Sequence, residues 1–129
     1  SSSSAASDVY KRQVELLYNQ YYDSMLALVN SGLFTGLAHP DSIKCFHFFP
    51  AGDLTPKYRL LADALNRHHM YAEQSGGLAL NYGFPEMGMN LSMLDIFKRE
   101  NVQIQFASDA HRPEDVGKNI SEMRSALYQ

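Results

Sequence analysis

Strands that alternate with helices predict an α/β domain with a parallel sheet, and three observations carry this expectation. Apolar residues recur at helical spacing in four separate stretches. Three short runs of strand character lie between them, the clearest being "NVQIQFASDAH", in which Val102, Ile104 and Phe106 alternate with polar residues. Caps, prolines and glycines fall at the junctions. The order is α-β-α-β-α-β-α, which means parallel pairing through right-handed crossovers. Three βα units cannot close an eight-stranded barrel. They are the last part of a barrel or a piece of an open sheet.

The first helix carries Val14, Leu17, Tyr18, Tyr21, Met25 and Leu28 on one face, and Gly32 follows as a C-cap. "LFTGLAHP" (Leu33 to Pro40) has the composition of a short buried strand ended by proline. An aromatic loop, "DSIKCFHFFPAGD", separates it from a helix with Thr55 as N-cap and Pro56 as first residue. Leu60, Leu61, Ala64 and Leu65 form that helix's expected buried stripe. "MYAEQ" is the second strand, and the glycine-rich "SGGLALNYGFPEMGMN" is expected to be loop. Asn90 caps a third helix with Leu91, Leu94 and Phe97 on one face. After the third strand, Pro113 opens a helix with Glu114 and Asp115 in its first turn, where the helix dipole favours acids. Val116, Ile120, Met123 and Leu127 are spaced to bury it.

The chain has 129 residues, 45% hydrophobic and 19% charged, enough for one modest domain with a core. A net charge of −3 and the lack of a basic stripe argue against nucleic acid or an anionic membrane as partner. No apolar run approaches the roughly 18–20 residues that span a bilayer. Cys45 is the only cysteine, so no internal disulfide forms, which fits a cytoplasmic location. The first thirteen residues, "SSSSAASDVYKRQ", have no apolar periodicity and no signal-peptide core. Ser3 to Gln13 back-translates into a stretch that resembles a transposon-based sequencing adapter. Residues 1–13 are therefore expected to be an artefactual or disordered tail, with the domain proper at 14–129 and its natural N-terminal part missing.

Chemistry concentrates at the strand ends. Asp109 and His111 stand two residues apart, so in extended backbone both side chains point to one side. A carboxylate and an imidazole there are two converging ligands for zinc, manganese or iron, or else a strand end and a helix cap. His39 ends another strand and can meet them over one rim, where barrels of this type collect catalytic groups. Glu73 brings an ionisable group from the middle strand as ligand, general acid/base or partner for a cationic substrate; alternatively it pairs with Arg112. Lys44 and Arg112 are cations that could hold an anion. Ser75, Gly76 and Gly77 offer backbone N–H groups but match neither a P-loop nor a dinucleotide fingerprint. His47, His68, His69, Cys45 and the methionines 87, 89 and 93 are read as loop surface, solvated helix end, unpartnered thiol and adaptable packing.

"LAHPDSIK", "MYAEQSGGL" and "ASDAHRPEDVG", in this order, resemble the second half of a PHP-superfamily phosphoesterase, and more narrowly the histidinol-phosphatase branch. The similarity covers most of residues 14–129. It implies a distorted (β/α)7 TIM-like barrel, of which this chain would be the C-terminal three βα units, with two or three divalent metal ions at the rim. His39 matches a late histidine ligand, Asp109 and His111 match the final Asp-x-His pair, and Glu73 matches an acidic rim position. The family's opening His-x-His pair is missing, since His39 is the first histidine of the chain. The implied activity of the whole enzyme is hydrolysis of a phosphate monoester, L-histidinol phosphate, in histidine biosynthesis. The chain by itself would leave the metal cluster incomplete and the activity absent, and a severed barrel would associate through its exposed strand edge. Nuclease or other phosphoesterase activity, or a non-catalytic interaction domain, are the competing readings, and the oligomeric state is open.

Overall fold

A computed structural model describes residues 2–128. Helix α1 runs over Ser2–Asn30, strand β1 over Gly36–Leu37 and helix α2 over Thr55–Arg67. Strand β2 covers Tyr71–Ser75, helix α3 Gly77–Tyr82 and helix α4 Leu91–Arg99. Strand β3 spans Ile104–Ala107 and helix α5 Ile120–Leu127. Single 3-10 turns occupy Ser42–Phe46 and Pro113–Asp115.

The three strands form one sheet in the order β1-β2-β3. Both pairings are parallel, with Leu37 opposite Ala72 and Glu73 opposite Gln105. The expected segment of a seven-stranded barrel is not what forms. This is a small helix-rich domain on an open sheet whose strands have only two, five and four residues. Closure needs long, tilted strands paired on both sides, and β1 is too short to provide one. The apolar residues go instead into helix–helix packing, α1 against α2 and α2 against α4.

That packing explains the core. Val14, Tyr18, Tyr22 and Val29 of α1 are buried, a stripe with steps of four, four and seven residues and with Met25 and Leu26 alongside. It is rotated from the expected face, and Leu17 and Leu28 are exposed. The tyrosines turn the helix, because Tyr22 packs edge-on against Tyr58 of α2, ring centroids 5.5 Å apart, and also against Tyr21. Residues 4–13 are exposed throughout, and burial begins at Val14. Leu61, Ala62, Ala64 and Leu65 of α2 are buried, whereas Leu60 faces solvent. Met93, Ile96 and Phe97 of α4 close the other side of α2, and Leu91 is exposed.

Local chemistry sets the boundaries. Asn90 caps α4 as expected, its side chain accepting from Met93 N at 3.0 Å. At α2 the cap is shifted: Asp53 Oδ1 accepts from Thr55 N at 2.9 Å, and Thr55 is the first helical residue. The segment after β2, expected to be loop, forms the six-residue α3, stopped by Gly83 in the left-handed region. The expected helix after Pro113 is broken instead. Arg112 and Lys118 converge on Asp115, at 3.1 Å each, and tie down a short turn, so α5 starts only at Ile120 and Val116 is exposed.

Candidate functional site

The sheet delivers its polar groups to one end. His39 follows β1, Glu73 lies in β2, and Asp109 and His111 follow β3. All four line one cavity of about 210 Å³, together with Asp41, Lys44 and Gly77. Thus three neighbouring strands bring the predicted residues to a common rim.

Both strand ends carrying the candidate ligands have unusual backbone. His39 has φ +26° and Asp109 has φ +51°, in the region disfavoured for residues with a Cβ. Such residues cost about 1–3 kcal/mol and cluster at functional sites. Asp109 is held from two directions. Asn81 of α3 donates from Nδ2 to the Asp109 carbonyl at 2.9 Å. The Asp109 carboxylate lies against Gly77, where a Cβ would fall 2.2 Å from Oδ2. Only glycine leaves this space, so α3 is the seat of Asp109.

His111 Nε2 is 3.9 Å from Asp109 Oδ1, and both side chains are about half exposed. Glu73 does not pair with Arg112. Its Oε1 accepts from the backbone N–H of His39 at 3.1 Å, linking the ends of β1 and β2. Arg112 turns away to Asp115 and Glu114 and is absent from the cavity lining. Ser75 Oγ accepts from Gly77 N at 3.1 Å, so the Ser-Gly-Gly stretch turns inward on itself. Lys44 does line the cavity, but it is 3% exposed and engaged with Asp41 and Glu86 at 2.8 and 2.6 Å.

Electrostatics differ on the two sides of Asp41. Behind it lie Tyr18, Tyr21, Tyr22 and Tyr58. Burial pushes the Tyr18 hydroxyl up to about 12, and the Asp41 carboxylate adds to the rise. Burial likewise raises Tyr21, Tyr22 and Tyr58, with Asp41 again contributing. On the cavity side the charged lining groups are three carboxylates, Asp41, Glu73 and Asp109, against the single ammonium of Lys44. That balance suits a cation.

The donors fit a divalent ion in kind, being imidazole and carboxylate. In number they fall short: among the described residues no group of three or more His, Cys, Asp or Glu side chains is disposed to hold a metal. Cys45 is exposed, and His68 and His69 lie at the far end of α2. Two residues of the site escaped the sequence reading: Asp41, which lines the cavity, and Asn81, which holds Asp109. Asp41 could have been found, since it directly follows His39 and Pro40 at the same strand end. Asn81 could not, because the helix that presents it carries no apolar stripe.

The fold and cavity define a small helix-rich parallel α/β domain with an acidic, histidine-bearing cavity at the carboxyl ends of its strands. No family model, no curated protein and no solved structure matches the chain. No helix among the described residues is long and apolar enough to cross a membrane.

Proposed function

We propose that this domain belongs to a metal-dependent phosphomonoester hydrolase, with histidinol-phosphatase-like chemistry. The observation that carries the reading is the meeting of His39, Glu73, Asp109 and His111 on one cavity, from three strand ends. The order and spacing of the PHP-like motifs support it. In this reading His39, Asp109 and His111 hold metal ions, which would supply a water of lowered pKa and neutralise the phosphate oxygens. Further donors are needed beyond those described, since no three of these side chains converge. Asp109 accepts the proton of the attacking water, and His111, 3.9 Å away, steadies its carboxylate. Glu73 forms the acidic wall that selects the ammonium and imidazole of L-histidinol phosphate. Arg112 has no part in binding, and Lys44, though it lines the cavity, is taken up by Asp41 and Glu86.

The test is Mn²⁺-dependent release of phosphate from L-histidinol phosphate and from nucleoside monophosphates. The reading predicts preference for the first and a fall of at least about a hundredfold for Asp109→Asn, as expected of an acid–base group. Equal rates in wild type and variant would overturn it. The lack of a three-donor cluster favours one other reading, a non-catalytic domain with structural histidines. That reading predicts no phosphate release with any substrate, and lowered stability when His39 and His111 are replaced by asparagine and glutamine.

A further inference from the structure

We infer that Lys44 is a positioning residue: paired with Glu86, it latches the Glu86–Asn90 segment shut as a wall common to three cavities, and so controls access to the cavity at the strand ends. The inference rests on the reading of that cavity as the ligand site.

Lys44 has three N–H groups, and each has a partner: Asp41 Oδ2 at 2.8 Å, Glu86 Oε1 at 2.6 Å and the Gly88 carbonyl. Its ammonium also lies 5.4 Å from the centre of the Phe84 ring. No donor is left for a ligand, so the residue acts through what it holds. Two more buried side chains grip the same segment. Gln74 Oε1 accepts from Met89 N at 2.7 Å, and Asp41 Oδ2 accepts from Asn90 N at 2.8 Å. Gly88, at φ +84°, sits where a Cβ would come within 2.4 Å of the Gln74 amide. The segment therefore lies flat on the ends of β1 and β2.

Its position gives the latch a function. Lys44 lines the cavity at the strand ends and the neighbouring one of about 260 Å³, which Tyr18 and Tyr58 also border. Glu86 lines that second cavity and a third, of about 580 Å³, between the loop and α5. Met89 separates the first from the third. Moving this one segment joins all three spaces. Gly83, in the left-handed region, precedes the segment that would swing, and Gly88, also left-handed, lies within it.

The two carboxylates are not equivalent. Asp41 is 7% exposed and fixed by Asn90, whereas the Glu86 side chain is 37% exposed and has only Lys44 as partner in this clamp. Glu86 is thus the releasable member, and an ion pair open to water on one side is the weaker kind.

The experiment is methionine oxidation by hydrogen peroxide, read by peptide mass spectrometry on the metal-free chain. Met89 is 3% exposed behind the latch; Met70 and Met93 are buried elsewhere at 2% and 0%. In Glu86→Gln the oxidation rate of Met89 should rise roughly tenfold, the mark of a local opening, with Met70 and Met93 as slow as in wild type. Glu86→Asp, which keeps the charge, should restore part of the protection. A Met89 rate equal to wild type in Glu86→Gln overturns the latch. So does a parallel rise at Met70 and Met93, which would mean general loosening. No metal or substrate takes part, so this result stands apart from the outcome of the hydrolase assay.

Discussion

The helical core and the strand-end rim of this domain are built on opposite terms. In the core, α1, α2 and α4 bury apolar side chains in regular backbone, and Leu65, Ala62 and Phe97 have no exposed surface. At the rim, two candidate ligands sit at positive φ, and polar groups from separate elements hold one another in place. The difference teaches where stability and chemistry are stored. The core provides the free energy that lets the rim keep strained, half-exposed groups.

The comparison breaks most severely at Phe97. Replacing it with alanine opens a cavity in the core and should cost about 3–5 kcal/mol, measured by urea unfolding. Cation binding by the variant that remains folded should be unchanged. Gly77→Ala tests the opposite region. Its Cβ would fall 2.2 Å from Asp109 Oδ2, so the carboxylate must move, at a cost of about 1–3 kcal/mol. Here cation binding should be lost while the variant remains folded.

Alkaline titration separates the regions without mutation. The buried tyrosines ionise at higher pH when folded than when unfolded, where the value is about 10. The folded state therefore holds more protons above that value, and stability falls as pH rises from about 10 towards 12, the value of Tyr18. The tyrosinate absorbance of four of the eight tyrosines should appear only together with the loss of circular dichroism in that window. Tyrosinate absorbance from more than four of the eight tyrosines, with the fold intact at pH 10, would refute the burial of these hydroxyls.

Acid gives the smallest effect. The Lys118 hydrogen bond, with Arg112 beside it, holds the Asp115 carboxyl below its usual range. Its contribution is present above the unfolded pKa of about 3.9 and is lost as pH falls through the lower folded value. Asp115→Asn should flatten the acid limb of stability below about pH 4.

Much of this was legible in the sequence, for physical reasons that can be named. Parallel pairing follows from alternation, and polar residues at strand ends fall on one rim: His39, Glu73, Asp109 and His111 line one cavity, though no three of them converge. The barrel did not follow, because short apolar runs do not report how many residues will pair, and β1 pairs only two. Helix α3 was hidden because "GLALNY" has a glycine start and, at six residues, is too short to show an apolar stripe. The broken helix after Pro113 was hidden because the convergence of Arg112 and Lys118 on Asp115 is a tertiary choice over local propensity. Lys44 looked like a free cation, since nothing local announces partners such as Glu86, 42 residues away.

The most direct measurement is Mn²⁺ titration of the isotope-labelled chain, following the imidazole resonances of all five histidines. The account predicts selective broadening of His39 and His111, lost in Asp109→Asn with no change in melting temperature. Uniform broadening of all five, or an identical response from Asp109→Asn, would contradict a cation site at the strand ends.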